Sequence, residues 1–332
     1  MIRNWTVALI LLALVSCAPV IAPVGPESET PAITPDYFLT RDGLRLPLRH
    51  WDANGPRVIV VALHGMSDYS NAFDMPASDW AKHGITTFAY DQRSFGAGPN
   101  KGLWPGADAL RKDLDDCVDA IRARFPGKPV VALGESMGGA VVLTALASAS
   151  PPHIDGAILV APAVWSRSDM PPVYRAALFV AAHLMPGMKV SGSGLKIWPS
   201  DNIPMLRMLA HDPLFQHSTR ADAVWGLVNL MDEARHAPER LVDSPPILFL
   251  YGANDQVIPK TPTLAVIAVL GSRAEVHRYE HGYHMLLRDL DRQRVFDDVR
   301  AWLGGLQSGG ISRPASGVVP SSGQAGRVLI RS

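Results

Sequence analysis

Three residues, far apart in this 332-residue chain, have the types and order needed for nucleophilic acyl transfer: Ser136, Asp255 and His284. Ser136 stands in Gly134-Glu135-Ser136-Met137-Gly138. The pattern G-x-S-x-G marks a serine on a strained strand-to-helix turn, a nucleophile elbow, where side chains two positions away on either side would collide. A serine hydroxyl is a poor nucleophile at neutral pH, so it needs a base, and the base needs an acid to orient it. The chemistry expected of such a trio is transfer of an acyl group to the serine and then to water.

The pattern alone is common, so its flanks decide its weight. Val130-Val131-Ala132-Leu133 before it reads as a strand, and the small-residue stretch 139–147 after it reads as a helix. In that context the acid and the histidine follow later strands, in the order serine, acid, histidine. The run 247–251 is such a strand, and Asp255 lies just beyond it in Gly252-Ala253-Asn254-Asp255. Val276-His277-Arg278-Tyr279 has the character of a last strand, and His284 follows in Gly282-Tyr283-His284.

Each choice has rivals. His281 follows the strand more closely and suits a loop role; His211 and His217 fall in a different segment, and His277 lies within a strand. Asp243 precedes its strand instead of following it, and Asp212 and Asp232 lie in the segment 163–242, which reads as a cap. The tetrahedral intermediate also needs donors for its oxyanion. One is the backbone N–H of Met137, after the nucleophile. The other is the N–H of Met66, in His64-Gly65-Met66 at the end of an early strand. His64 is expected to orient that loop.

The elements that must hold these residues show a regular alternation. Val58–Leu63, Ile85–Tyr90, 130–133, 157–160 and 247–251 are continuous apolar runs, the mark of strands covered on both faces. Between them 107–125 places Leu110, Leu114, Cys117, Val118, Ile121 and Phe125 at helical spacing, and Phe125-Pro126-Gly127 stops it. Strand and helix in alternation predict an α/β fold with a mostly parallel sheet flanked by helices. The core is expected over 36–162 and 243–306. The stretch 163–242 shows no clear strand, carries helical stretches at 172–185, 203–210 and 219–234, and holds Met170, Met185, Met188, Met205, Met208 and Met231. It reads as a helical cap inserted after the sixth strand, whose methionines suit varied apolar ligands.

The ends differ from the core. Arg3 and the apolar run 7–15 fit a secretory signal, too short to span a bilayer. Leu14-Val15-Ser16-Cys17 resembles a bacterial lipobox, so residues 1–17 are expected to be an export signal with Cys17 as the lipidated residue. An ordinary cleaved signal with an incidental cysteine is the alternative. Residues 18–35 carry five prolines and suggest an extended tether, and 307–332, rich in Gly and Ser, suggest a disordered tail. The expected location is therefore exported and membrane-anchored, at the outer membrane in a Gram-negative host. Lys plus Arg (31) balance Asp plus Glu (31), so no basic footprint for nucleic acid exists. Two cysteines form no disulfide framework, and no metal-ligand spacing or phosphate loop occurs. No cofactor is expected.

His64-Gly65-Met66-Ser67-Asp68-Tyr69-Ser70, Asp91-Gln92-Arg93, Gly134-Glu135-Ser136-Met137-Gly138-Gly139, Asp255 and Gly282-Tyr283-His284 together resemble the monoacylglycerol lipase and lysophospholipase group of α/β-hydrolases, close to the serine-aminopeptidase type. The resemblance spans about 36–304. It implies an α/β-hydrolase fold, a small-molecule substrate that is a single-chain acyl ester, and Ser136, Asp255 and His284 as the triad. Ser94 departs from it, standing where the group more often has glycine. Hydrolysis of a peptide or thioester, cofactor-free haloperoxidase or lyase chemistry, and a non-catalytic binding module remain open on the same fold.

Overall fold

The computed structural model describes residues 18–307, apart from 193 and 195, together with 330–331. In chain order come β1 (Ala32–Ile33), β2 (Tyr37–Leu39), β3 (Arg45–Trp51), β4 (Val58–Leu63), α1 (Asp74–Ala81), β5 (Ile85–Tyr90), α2 (Ala107–Arg124), β6 (Val130–Glu135), α3 (Met137–Leu146) and β7 (Gly156–Val160). An insertion follows, with α4 (Pro172–Leu184), β8 (Lys189–Val190), α5 (Ile203–Leu209), β9 (Thr219–Arg220) and α6 (Ala221–His236). The core resumes with β10 (Ile247–Gly252), α7 (Lys260–Leu270), β11 (Ala274–Tyr279), α8 (Arg292–Gln307) and β12 (Ile330–Arg331).

One sheet in the order β1-β2-β3-β5-β4-β6-β7-β10-β11-β12 runs through the molecule. From β5 onward its pairings are parallel, and only β1, β2 and β3 join antiparallel. The apolar runs are continuous because the strands are covered on both faces. In β4, Ile59, Val61 and Leu63 enter one core with Leu110 and Leu114 of α2 and Val141 and Val142 of α3. Val58, Val60 and Ala62 point the other way, to Ala77 and Trp80 of α1 and Phe296, Val299 and Trp302 of α8. Each such fully buried Val, Leu or Ile contributes roughly 1.5–3 kcal/mol. Cys117 lies inside the first core, where burial pushes its thiol pKa up and keeps it an inert apolar side chain.

Several expectations need correction. The insertion follows the seventh strand, not the sixth, since three strands precede β4, and it does contain strand: β8 and β9 pair antiparallel. Its methionines do not form one lining. Met170, Met205 and Met231 are buried, whereas Met185, Met188 and Met208 are exposed.

The segment 18–35, expected to be a free tether, lies on the body. Ile21 bridges Trp104, the Ala22 N–H donates to the Trp104 carbonyl at 2.7 Å, and the Val20 N–H donates to the Asp222 carboxylate at 3.2 Å. Proline removes N–H donors without preventing the remaining ones from docking. Asp222 is buried and also pairs with Arg220, while Gly226 lets α6 approach Trp104 where a Cβ would come within 2.3 Å of the indole. The strap thus joins the core to the insertion. In the stretch expected to be a structureless tail, Gln307 closes α8 and Ile330–Arg331 pairs with β11. The rest of that stretch, and the signal region with Cys17, lie outside the described residues.

Candidate active site

The elbow follows from local geometry. β6 ends at Glu135, α3 starts at Met137, and Ser136 between them takes φ +52°. That left-handed conformation costs a non-glycine residue about 1–3 kcal/mol and survives only where the surroundings enforce it. The two glycines show how. A Cβ on Gly134 would lie 2.3 Å from the backbone of Gly138, and one on Gly138 would lie 2.1 Å from the Leu63 carbonyl oxygen. Ser136 is partly exposed, whereas its neighbours Glu135 and Met137 are buried.

Asp255 and His284 meet. The Asp255 side chain is fully buried past the end of β10, where its Oδ1 accepts the N–H groups of Val257 and Ile258 at 2.8 and 3.0 Å. Its Oδ2 accepts from His284 Nδ1 at 2.8 Å. This bond leaves Nε2 as the ring nitrogen free to take a proton. Burial lowers the histidine pKa, but the charge and hydrogen bond of Asp255, helped by Glu135, outweigh it and hold the pKa above the ordinary value.

The two candidate oxyanion donors lie on segments beside the elbow. Met137 opens α3, so its N–H belongs to the first turn, which has no partner within the helix and carries the positive end of the helix dipole. Gly65 to Asp68 form a turn closed by the Asp68 N–H on the Gly65 carbonyl at 3.2 Å, with Ser67 at φ +73°. Met66 sits at the second position of that turn, whose N–H the turn does not use. A Cβ on Gly65 would lie 3.2 Å from that of Ser136, so this loop packs directly on the elbow.

His64 orients the loop. Its Nδ1 donates to the Gly65 carbonyl at 2.8 Å, and its Nε2 accepts the Gln92 N–H at 2.9 Å. Burial holds its pKa down. The Asp91 carboxylate accepts from the Ser70 N–H and hydroxyl and from the Ala97 N–H. Ser94, the departure noted in the sequence, is buried at φ +70° with an unpartnered hydroxyl. It adopts the conformation that glycine takes without strain.

The rival residues are elsewhere. His281 and Asp243 are exposed. His277 pairs with Glu275 and Asp298. Asp212 accepts from the Tyr69 hydroxyl at 2.7 Å, and Asp232 binds Arg167.

The insertion is fastened to all three candidate loops. The Gln216 N–H donates to the Ser67 carbonyl at 2.8 Å, the Trp198 N–H to Gln256 Oε1 at 3.0 Å, and the Met285 N–H to the Pro199 carbonyl at 2.8 Å. Ser200 also donates to Asp289 at 2.6 Å. By contrast α4 buries only Ala182, and Val173, Tyr174, Phe179, Val180 and Leu184 stand exposed along it. Sequence reasoning missed Arg288, which is buried between Asp68 and Glu135. Nothing in its neighbourhood along the chain marks it, because both partners are distant in sequence.

Sheet, elbow and insertion define an α/β-hydrolase. The profile of the serine aminopeptidase S33 family matches residues 54–291, and the chain belongs to that family. It is 26% identical over 272 residues to a monoacylglycerol lipase of Mycolicibacterium smegmatis, covering 79% of this chain and 93% of that one. It is 24% identical over 296 residues to the monoglyceride lipase of Rattus norvegicus, covering 84% and 95%. Among solved structures, a soluble variant of monoglyceride lipase from Saccharomyces cerevisiae, in complex with a substrate analogue, superposes with a TM-score of 0.69 at 19% identity, covering 87% of this chain and 99% of that one.

Proposed function

We propose that the chain is a serine ester hydrolase that cleaves a single-chain acyl ester, a monoacylglycerol or a lysophospholipid, through an acyl-enzyme on Ser136. The observation that carries the proposal is the 2.8 Å bond between buried Asp255 and His284, on the loops beside a glycine-cleared elbow. Ser136 Oγ attacks the ester carbonyl as His284 Nε2 takes its proton, and Asp255 stabilises the imidazolium. The Met66 and Met137 N–H groups hold the oxyanion. The alcohol leaves with the proton from His284. Water then enters, the same histidine activates it, and the fatty acid is released.

The names of the relatives support an acyl ester over a peptide, and so do three acids of the insertion. An aminopeptidase needs a carboxylate free for the substrate amine. Asp222 is held by Arg220, Asp232 by Arg167 and Glu233 by Arg111. The insertion acts as a cap under which the acyl chain lies, and its fastening to the three loops supports that role. Export and anchoring through lipidated Cys17 remain part of the proposal, at the outer membrane in a Gram-negative host. The lipobox supports them.

The test is a panel: monoacylglycerol, lysophosphatidylcholine, p-nitrophenyl esters of graded chain length, an acyl thioester and an aminoacyl anilide. Turnover confined to the esters, and lost in Ser136→Ala, is expected. Preference for the anilide or the thioester would overturn the substrate assignment. Failure of a fluorophosphonate probe to label wild-type protein would indicate a binding module instead.

A further inference from the structure

Arg288 lies four residues after His284, at the end of a single helical turn (Leu286–Arg288), and is 5% exposed. Its Nη2 is 2.6 Å from Asp68 Oδ2 and 3.3 Å from Glu135 Oε2. Both carboxylates are buried. Its backbone is held as well, since its carbonyl accepts from Asn202 Nδ2 of the insertion at 2.8 Å. The partners are not arbitrary points on the fold. Asp68 closes the turn that presents Met66, Glu135 immediately precedes Ser136, and Arg288 itself belongs to the loop that carries His284.

Two carboxylates around one guanidinium make a costly core. Taking ions out of water is unfavourable, and apolar replacements of such clusters are often as stable or more so. Glu135 Oε1 and Arg288 Nε make no hydrogen bond, so the cluster is not fully compensated by its own bonds. A costly group of charges that touches the three segments bearing the reacting atoms points to a role beyond packing.

We infer that Arg288 is a positioning residue: by bridging Asp68 and Glu135 it fixes the Met66 N–H, Ser136 and His284 at their working separation. This rests on the ester-hydrolase reading, because it assigns work to the same three groups. A displacement of about 1 Å among reacting groups costs on the order of a hundredfold in rate, so the bridge acts on turnover more than on substrate binding. It also acts on the base. The charged groups facing His284 are Asp255, Glu135 and Arg288. Arg288 disfavours the imidazolium and Glu135 favours it.

The experiment compares Arg288→Met, Glu135→Gln, and the triple change Arg288→Met, Glu135→Gln, Asp68→Asn, using a short p-nitrophenyl ester and, in parallel, the rate of fluorophosphonate labelling. The triple variant removes the whole buried cluster, so it remains informative if the single arginine change fails to fold. In the triple variant kcat is expected to fall about tenfold to a hundredfold, with KM within about twofold and folding retained. The pH midpoint of kcat/KM should move down in Glu135→Gln and, where Arg288→Met folds, up. A folded triple variant with wild-type kcat and labelling rate, or a pH midpoint unmoved in Glu135→Gln, would overturn the inference and leave the cluster purely structural. If wild-type protein labels but hydrolyses no ester, the ester reading fails while the labelling rates still decide the role of Arg288. If it does neither, both fall.

Discussion

Gly138 and Leu63 approach so closely that a methyl group on the glycine would lie 2.1 Å from the leucine carbonyl oxygen. This contact holds the start of α3 against the end of β4 and leaves Ser136 at the tip of the turn. Backbone cannot retreat as a flexible side chain can. Gly138→Ala is expected to destabilise the protein by about 3 kcal/mol or more and to abolish ester hydrolysis. Thermal unfolding and an esterase assay on the same preparation check both effects.

The Asp255–His284 bond sets the pH dependence. The base works only when neutral, and Asp255 holds its pKa above the ordinary imidazole value against the effect of burial. Activity in kcat/KM should therefore rise with pH through a midpoint above that of an ordinary imidazole and fade as His284 protonates below it. Asp255→Asn removes the charge that supports the imidazolium, so the midpoint should move down. The rate should fall on the order of ten-thousand-fold. A pH–rate profile of both proteins tests this.

Ser94 carries a backbone strain. It is buried at φ +70° with an unpartnered hydroxyl. Ser94→Gly should relieve the left-handed strain and the unpaired group, against some added freedom in the unfolded chain, for a net gain of about 1 kcal/mol. The readout is a higher melting temperature at unchanged kcat.

The strap from Val20 to Ala22 depends on Trp104 and Asp222. Asp222→Ala removes the acceptor of the Val20 N–H and leaves Arg220 without its partner. The strap should then open to protease under native conditions, well before the core is cut. Limited proteolysis with N-terminal sequencing of the product shows whether it does.

Much of this was legible in the chain. Strands covered on both faces read as apolar runs, unbroken in Val58–Leu63 and interrupted only by Thr86 and Thr87 in Ile85–Tyr90, which is why both fall where the pattern sets them. Arg45-Leu46-Pro47-Leu48-Arg49-His50-Trp51 hides β3, because its polar positions alternate and a proline interrupts it. The helix α8 did carry a signal: Val295, Phe296, Val299, Trp302 and Leu303 recur at helical spacing, and all are buried. The elbow and the pairing of Asp255 with His284 were readable from motif and order. The bridge from Arg288 to Glu135 spans 153 positions and leaves no local trace. Nor does composition show that a proline-rich segment docks, since docking depends on the few N–H groups it retains.

The most direct measurement is rapid-quench mass spectrometry of the protein during turnover of a medium-chain monoacylglycerol. The expected result is a transient acyl mass on the peptide containing Ser136, absent from Ser136→Ala and longer-lived in His284→Ala. An acyl adduct on a different residue, or steady ester hydrolysis by Ser136→Ala at the wild-type rate, would contradict the assignment of Ser136 as the nucleophile.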